Sequence, residues 1–208
     1  MNLYQKYHAD RDDERLQLFQ IARSELSVDS GLYPGCFVHV TPSFVIPRMV
    51  YVDSDARAKR FFGDGTADEI VNARRFYEEA SRIEFVHQDY SLPLPIEDES
   101  VDLLISQYAG FVSDSCARYL KPGRYLIANN SHGDAGLAHS DRAFELIAVL
   151  NRRGERYSFK TADLDQYFIA KTQSLPSDPQ ALRDYLKDLG RGVGYTTTAS
   201  DYVFRKRG

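Results

Sequence analysis

The sequence predicts an α/β protein built on an open, mostly parallel β-sheet with helices on both faces. Short β-prone apolar runs alternate with helical patterns from residue 31 to residue 150, which is the spacing of parallel βαβ units. Polar residues follow these runs directly, and two further strands flank a late helix. At 208 residues the chain has the length of one domain, with an α/β core over residues 29–208.

Composition narrows the classes of function. The net charge is -4, and the one concentrated basic run is Phe204 to Arg207, so we expect no nucleic-acid partner. No apolar run approaches the roughly 20 residues of a membrane helix, so we expect no membrane partner. The charged amino terminus lacks the apolar core of a secretory signal, which favours a cytoplasmic location.

The amino-terminal segment, residues 1–28, predicts a helical brace or lid. Within Asp12 to Leu26, the residues Leu18, Ala22 and Leu26 recur at helical spacing and form an apolar stripe. The helix covers either the active site or a partner subunit, and the second alternative would make a homodimer.

The central elements follow from apolar runs and breakers. Strands are predicted at Gly31 to Tyr33, Met49 to Val52, Ile83 to His87, Val101 to Ser106 and Arg124 to Ala128. Helices are predicted at Ala56 to Phe62, at Thr66 to Ala80 after a capping box, at Ser113 to Leu120, and from Ser140 or Asp141 to Leu150. Thr41-Pro42 begins a first crossover helix that Pro47 keeps very short.

In the carboxyl-terminal part, the predicted strands and helix do not follow the alternation of the central part. Arg156 to Lys160 and Asp201 to Arg205 predict strands, and Pro179 to Leu189 predicts the helix between them. Two late strands around an inserted helix are expected to close one edge of the sheet.

Ligands of open parallel sheets bind beyond the carboxyl ends of the strands. Asp53 follows the second predicted strand, and its carboxylate can accept both hydroxyl protons of a ribose. In the alternative, Asp53 caps the helix that begins at Ala56, a role for which Asp55 competes.

The motifs VYVDSD, FVHQDY, LPIEDESVDLLIS and YLKPGRYLIANN occur in this order. Together with the late strands they resemble the class I S-adenosylmethionine-dependent methyltransferases from Gly31 to Phe204. The resemblance implies a three-layer, Rossmann-like methyltransferase fold whose seven-stranded sheet is mostly parallel, with an antiparallel last strand. It also implies S-adenosylmethionine as the cofactor and, with other acceptor signatures missing, a small molecule as the substrate.

The resemblance assigns roles to residues at the strand ends. The implied cofactor-binding residues are Tyr33, Gly35, Asp53, Ser54, Asp89, Tyr90 and Gln107. Tyr108 and Asn130 are the implied substrate-binding residues, and His132 and His39 are the candidate catalytic bases because imidazole titrates near neutral pH. The alternatives are structural roles for both histidines and a plain turn at Asp89.

The first loop departs from the family pattern. The family has several closely spaced glycines there, because the backbone approaches the cofactor. Here Gly31 and Gly35 flank three larger residues, and bulky side chains from Cys36 to His39 follow. An alternative function is therefore a non-catalytic binding or interaction module with a lost or altered cofactor site.

Other chemistries have weaker signals. GxGxxG is absent, which argues against a nicotinamide enzyme, and the Asn/Asp-Pro-Pro-Tyr/Phe motif of some amino-group methyltransferases is also absent. His132, Asp134, His139 and His39 offer metal ligands for a hydrolase, but their spacing matches no metal signature and we expect no metal. Cys36 and Cys116 lack CxxC spacing, so we expect free buried thiols.

Overall fold

The computed structural model describes residues 3–8, 15–154, 156–171, 175–176 and 178–208. Its centre is an eight-stranded sheet in the order β3-β2-β1-β4-β5-β8-β6-β7. The strands are β1 (Ser30–Pro34), β2 (Arg48–Val52), β3 (Arg82–Val86), β4 (Val101–Ser106), β5 (Leu120–Ala128), β6 (Phe144–Arg153), β7 (Arg156–Lys160) and β8 (Asp201–Lys206).

Strands β1 to β5 pair in parallel, whereas β8 pairs antiparallel with both β5 and β6. The predicted α/β class, with its mostly parallel sheet and antiparallel last strand, is confirmed. The sheet has eight strands instead of seven because β7 forms a hairpin with β6 at the outer edge.

The helices are α1 (Leu3–Tyr7), α2 (Leu16–Leu26), α3 (Ala56–Gly63), α4 (Thr66–Arg74), α5 (Val112–Cys116), α6 (Asp134–Ser140) and α7 (Pro179–Leu189). They lie on both faces of the sheet. Alternate residues of one strand serve the two cores: Leu103 and Ile105 of β4 join the core under α2, α3 and α4, and Leu104 joins the core under α5 and α6. This period of two is that of a strand buried on both faces.

The helix predicted from Ser140 or Asp141 to Leu150 is wrong, because β6 begins at Phe144. Its apolar run mimics a helical stripe, yet β6 lies between β7 and β8 and packs on both faces. Strands covered on both faces have near-continuous apolar sequences, which periodicity cannot separate from a helix. Helix α4 is also shorter than predicted and ends at Arg74.

The amino-terminal helix packs on the core of the same chain. In α2 the residues Leu18, Phe19, Ala22 and Leu26 are buried, and the predicted start at Asp12 lies outside the described residues. Helix α1 adds the buried Tyr4, whose hydroxyl lies 3.1 Å from the Thr41 hydroxyl.

The first crossover is a single 3-10 turn, Thr41–Phe44, as short as Pro47 predicts. All four of its residues are buried. Within the described part of the chain, no helix is long and apolar enough to cross a membrane.

Candidate functional site

Two cavities lie beside the carboxyl ends of the central parallel strands. The first, here the carboxylate cavity, has a volume of about 600 Å³. It is lined by Gly35, Asp53, Ser54, Gln88, Asp89, Tyr90, Ser91, Tyr108, Ala109, Phe111, Ser115, Arg183 and Lys187. Five of the seven predicted cofactor-binding residues therefore surround one space.

The second, here the aromatic cavity, has a volume of about 490 Å³. The described residues that line it are Tyr7, His8, Arg15, Tyr33, Gly35, Cys36, Phe37, His39, Arg57, Gln107 and Tyr108. Gly35 and Tyr108 line both cavities, so the two spaces adjoin at these residues.

Asp53 binds the backbone of the loop after β1. Its Oδ2 accepts a hydrogen bond of 2.7 Å from the Phe37 amide, and its Oδ1 accepts one of 2.8 Å from the Asp55 amide. Asp55, and not Asp53, caps α3 by accepting from the Arg57 amide. Asp53 thus ties the first loop to the end of β2.

The loop after β3 supplies Asp89 and Tyr90. Asp89 Oδ1 accepts from the Ser91 amide at 2.9 Å, and this bond lowers the pKa of Asp89 below its usual value. Tyr90 donates its hydroxyl to the Ala109 carbonyl, and burial raises the pKa of Tyr90 to about 12. Asp89 forms its own turn and also faces the carboxylate cavity.

The segment after β4 lies against Gly35, which has a φ of +64°. A Cβ on Gly35 would meet the Ala109 Cβ at 2.4 Å, so the missing side chain makes room for this segment of the chain. Tyr108 also has a positive φ, 58°, and its ring is 61% exposed. The contact between Gly35 and Ala109 lies next to Tyr108, and Gly35 and Tyr108 line both cavities.

Gln107 lies at the floor of the aromatic cavity and is buried. Its Nε2 donates to Asp201 Oδ1 at 2.6 Å, and its Oε1 accepts from Asn129 Nδ2 at 3.2 Å. Burial raises the pKa of Asp201 to about 6. This network fixes the end of β4 to β8.

The imidazole of His39 is buried in the wall of the aromatic cavity, with 2% exposure. Its Nδ1 lies 3.1 Å from the Tyr33 hydroxyl, and its ring centroid is 4.6 Å from that of His8. The predicted base His39 and the predicted cofactor residue Tyr33 therefore form one hydrogen-bonded pair.

His132 and Asn130 line neither cavity. His132 is exposed on the loop after β5, and Asn130 donates to the Val193 carbonyl at 2.9 Å. The geometry favours His39 over His132 as a group that meets a ligand.

The possible metal ligands do not converge. Asp134 is buried and accepts from the hydroxyls of Ser106 and Ser113, while His139 stacks on Phe168 at 4.2 Å. Among the described residues, no group of three His, Cys, Asp or Glu side chains is placed to hold a metal ion.

The sequence prediction omitted four cationic side chains of the two linings: Arg15, Arg57, Arg183 and Lys187. Arg183 and Lys187 are four residues apart on α7, so their shared helix face was readable from the sequence. The sequence does not show that α7 faces the carboxylate cavity.

No protein-family model matches the sequence, and no curated protein matches it. Solved structures do match this chain. The N-methyltransferase NodS from Bradyrhizobium japonicum, in complex with S-adenosyl-L-homocysteine, is 17% identical, with 77% of this chain and 92% of that chain covered and a TM-score of 0.47. The O-methyltransferase from Bacillus cereus, also in complex with SAH, is 10% identical, with 70% and 77% covered and a TM-score of 0.48.

The [4+2]-cyclase SpnF is 14% identical, with 92% of this chain and 80% of that chain covered and a TM-score of 0.52. At such identities a likeness concerns the fold and not the activity. The order β3-β2-β1-β4-β5-β8-β6, with β8 antiparallel to its neighbours, agrees with this likeness. The chain has the class I methyltransferase fold.

Proposed function

We propose that the chain binds S-adenosylmethionine with its adenosine in the carboxylate cavity and methylates a small molecule held in the aromatic cavity. One observation carries the proposal. Asp53, Asp89 and Gly35 come from three different strand ends and line a single cavity, and that cavity adjoins a second one lined by His8 and His39.

The residues of the carboxylate cavity fit a nucleoside. Its volume of about 600 Å³ is within the usual range of small-molecule sites. Each carboxylate oxygen of Asp53 accepts one backbone bond and keeps a second lone pair, which can accept from a ribose hydroxyl. Asp89 can accept from an exocyclic amino group, and Tyr90 offers a ring beside the base.

The bound cofactor would supply an electrophilic methyl group on a sulfonium. The nucleophilic atom of the acceptor forms a bond to the methyl carbon as the carbon–sulfur bond breaks, with its electron pair left on sulfur. The chain's main task is alignment of the two reactants. In this proposal the imidazole of His39, which lies 3.1 Å from the Tyr33 hydroxyl, takes the proton that the acceptor loses.

A small acceptor agrees with the size of the aromatic cavity, which at about 490 Å³ suits a compact molecule better than a polymer.

A non-catalytic module is the second candidate, and the contact between Gly35 and Ala109 favours it. In this candidate, the segment around Ala109, which packs beside Gly35, separates the two cavities. If that segment does not move, a nucleoside is held without access to an acceptor.

Titration calorimetry tests the proposal. We expect S-adenosylmethionine and S-adenosylhomocysteine to bind at one site, and NADH not to bind. Asp89→Asn should weaken S-adenosylhomocysteine about tenfold, since it replaces a charged acceptor with a neutral amide. Asp98→Asn is the matched control, because Asp98 is exposed and pairs with Arg118 away from both cavities. No binding of either sulfur ligand at millimolar concentration would overturn the proposal.

A further inference from the structure

The eight-stranded sheet has two edge strands, β3 and β7. An edge strand carries unpaired backbone groups to which a further strand can bind. At β7 this edge is partly covered, because the Tyr157 amide donates to Oε1 of Gln17 in α2 at 2.6 Å. Strand β7 also begins at Arg156 and ends at Lys160, and these like charges would face each other in a fully overlapped antiparallel pair. Neither feature favours a second copy of the chain at β7.

The edge of β3 is open in the described part of the chain. The Arg82 amide donates to the Pro47 carbonyl at 2.8 Å, so Arg82 and every second residue after it turn their backbone groups towards β2. The residues between them, Ile83 and Phe85, therefore turn their N–H and C=O groups outwards. No described strand pairs with β3 on this side.

Arg82 and Glu84 lie on the face of β3 that α3 and α4 do not cover. Ile83 and Phe85 pack on the core under those helices, so the side chains that alternate with them point to the opposite face. Both charged residues are exposed, and within the described part of the chain neither forms an ion pair. Arg48 of β2 is in register with Arg82, which places two positive residues side by side. The face thus carries positive charge beside Arg82 and an unpaired carboxylate two residues later.

A two-fold antiparallel pair of β3 strands centred on Ile83 matches these features. Ile83 then faces Ile83 of the second copy and Ser81 faces Phe85, so the outward backbone groups exchange hydrogen bonds. Between these positions Arg82 faces Glu84 of the second copy, and the two-fold axis repeats this pair. Opposite charges at directly opposed positions stabilise a sheet, whereas a pair centred on Glu84 would oppose two carboxylates. The charges therefore favour the register centred on Ile83.

We propose that the chain forms a symmetric dimer through its β3 edges, which joins the two eight-stranded sheets into one continuous sheet. The segments beside β3 add apolar surface: Phe76 before it is 66% exposed, and Leu92 after it is 56% exposed. We expect both side chains to become less exposed in the dimer, because an antiparallel pair brings the segment before one β3 beside the segment after the other. The inference does not rest on the proposed function, since none of the described residues lining the carboxylate or aromatic cavity lies in β3.

Sedimentation velocity of the full chain, over concentrations that reach the millimolar range, tests the dimer. The unmodified chain should change from monomer to dimer as its concentration rises. Arg82→Glu and Glu84→Arg should each weaken the dimer by about tenfold or more, because each change opposes like charges at both symmetric positions. An equal mixture of the two variants should form dimers again, because one chain then presents two acids to two bases of the other.

Two further variants complete the test. The double variant Arg82→Glu/Glu84→Arg should dimerise within about threefold of the unmodified chain, because its charge pairs are only reversed. Arg156→Glu is the matched control, since it makes the same charge change at an exposed residue of the other edge strand, and it should leave the dimer unchanged. Thermal unfolding of each variant separates a lost contact from a lost fold.

Three results would overturn the proposal. The first is an unmodified chain that stays monomeric at millimolar concentration. The second is a dimer that both single charge changes leave intact, which would place the interface elsewhere. The third is a folded double variant, or a mixture of folded single variants, that stays monomeric, which would exclude the pairing of Arg82 with Glu84.

Discussion

Gly35 and Ala109 touch where the two cavities meet: a Cβ placed on Gly35 would lie 2.4 Å from the Ala109 Cβ. In the family that the sequence resembles, glycines after the first strand admit a cofactor. In this chain Gly35 admits the segment that follows β4. Gly35 therefore provides close chain packing at the border of the two cavities, both of which it lines.

Gly35→Ala should destabilise the fold by about 2 kcal/mol, because the new methyl group clashes with Ala109 and the backbone is left-handed. Gly190→Ala is the matched control, with a φ of +65° and no neighbour within 4 Å of the added Cβ. It should cost only about 1 kcal/mol in urea unfolding. The double variant Gly35→Ala/Ala109→Gly should recover the difference, and no recovery would mean that the clash is absent.

Asp53→Ala should cost about 1 to 3 kcal/mol of unfolding free energy, because two backbone amides lose a charged acceptor. It should also weaken S-adenosylhomocysteine. Asp55→Ala serves as the comparison for stability, since it removes the cap of α3 and costs about 0.5 to 2 kcal/mol while the hydrogen bond from the Phe37 amide to Asp53 stays. Unchanged ligand affinity in Asp53→Ala would remove Asp53 from the binding site.

The buried Asp134 carboxyl should make stability depend on pH. Burial raises the pKa of Asp134 to about 6, above its ordinary value of 3.8. The folded state therefore binds the proton more tightly than the unfolded state. The protonated carboxyl contributes its full share of the unfolding free energy below pH 3.8, and this share is lost as the pH rises towards 6. The slope is about 1.4 kcal/mol per pH unit for one such group.

The difference in unfolding free energy between the native chain and Asp134→Asn, measured from pH 3.5 to 7 in urea, should fall as the pH rises. For Asp98→Asn, the same difference in unfolding free energy should increase as the pH rises. The Arg118 guanidinium lowers the pKa of Asp98, so its contribution is lost as the pH falls. A difference for Asp134→Asn that does not change with pH would contradict the raised pKa.

His39→Gln should lower methyl transfer by about 10²-fold or more if His39 is the base, with S-adenosylhomocysteine affinity nearly unchanged. The readout is S-adenosylhomocysteine formation with a panel of phenols and aromatic acids. His132→Gln should have little effect, because His132 is exposed and lines neither cavity. A larger loss in His132→Gln would reverse the assignment.

Cys36 and Cys116 should resist alkylation in the folded chain. Both thiols are buried, and burial raises the pKa of Cys36 well above its usual value and that of Cys116 to about 12. The reactive thiolate is therefore scarce at neutral pH. Mass spectrometry should find both labelled by iodoacetamide in urea and neither in buffer within the same time; fast labelling in buffer would show that the thiols are accessible.

Much of the fold could be predicted because its signals are local. The β4 strand was predicted at its observed bounds, since a run of apolar residues between turns is visible in the sequence. The shortness of the first crossover followed from Pro42 and Pro47, which limit the backbone directly. Asp53 and Asp89 were placed at one edge because the strands before them pair in parallel.

Tertiary structure decided the rest. The apolar pattern of β6 predicts a helix, because burial on two faces removes the alternation that marks a strand. Only its pairing with the strands on either side identifies it as a strand. The sequence by itself determined an α/β sheet with carboxylates just after the carboxyl ends of its parallel strands. Only the tertiary structure decided that Asp53 binds the first loop and that Ala109 fills the space beside Gly35, because those contacts join residues that are distant along the chain.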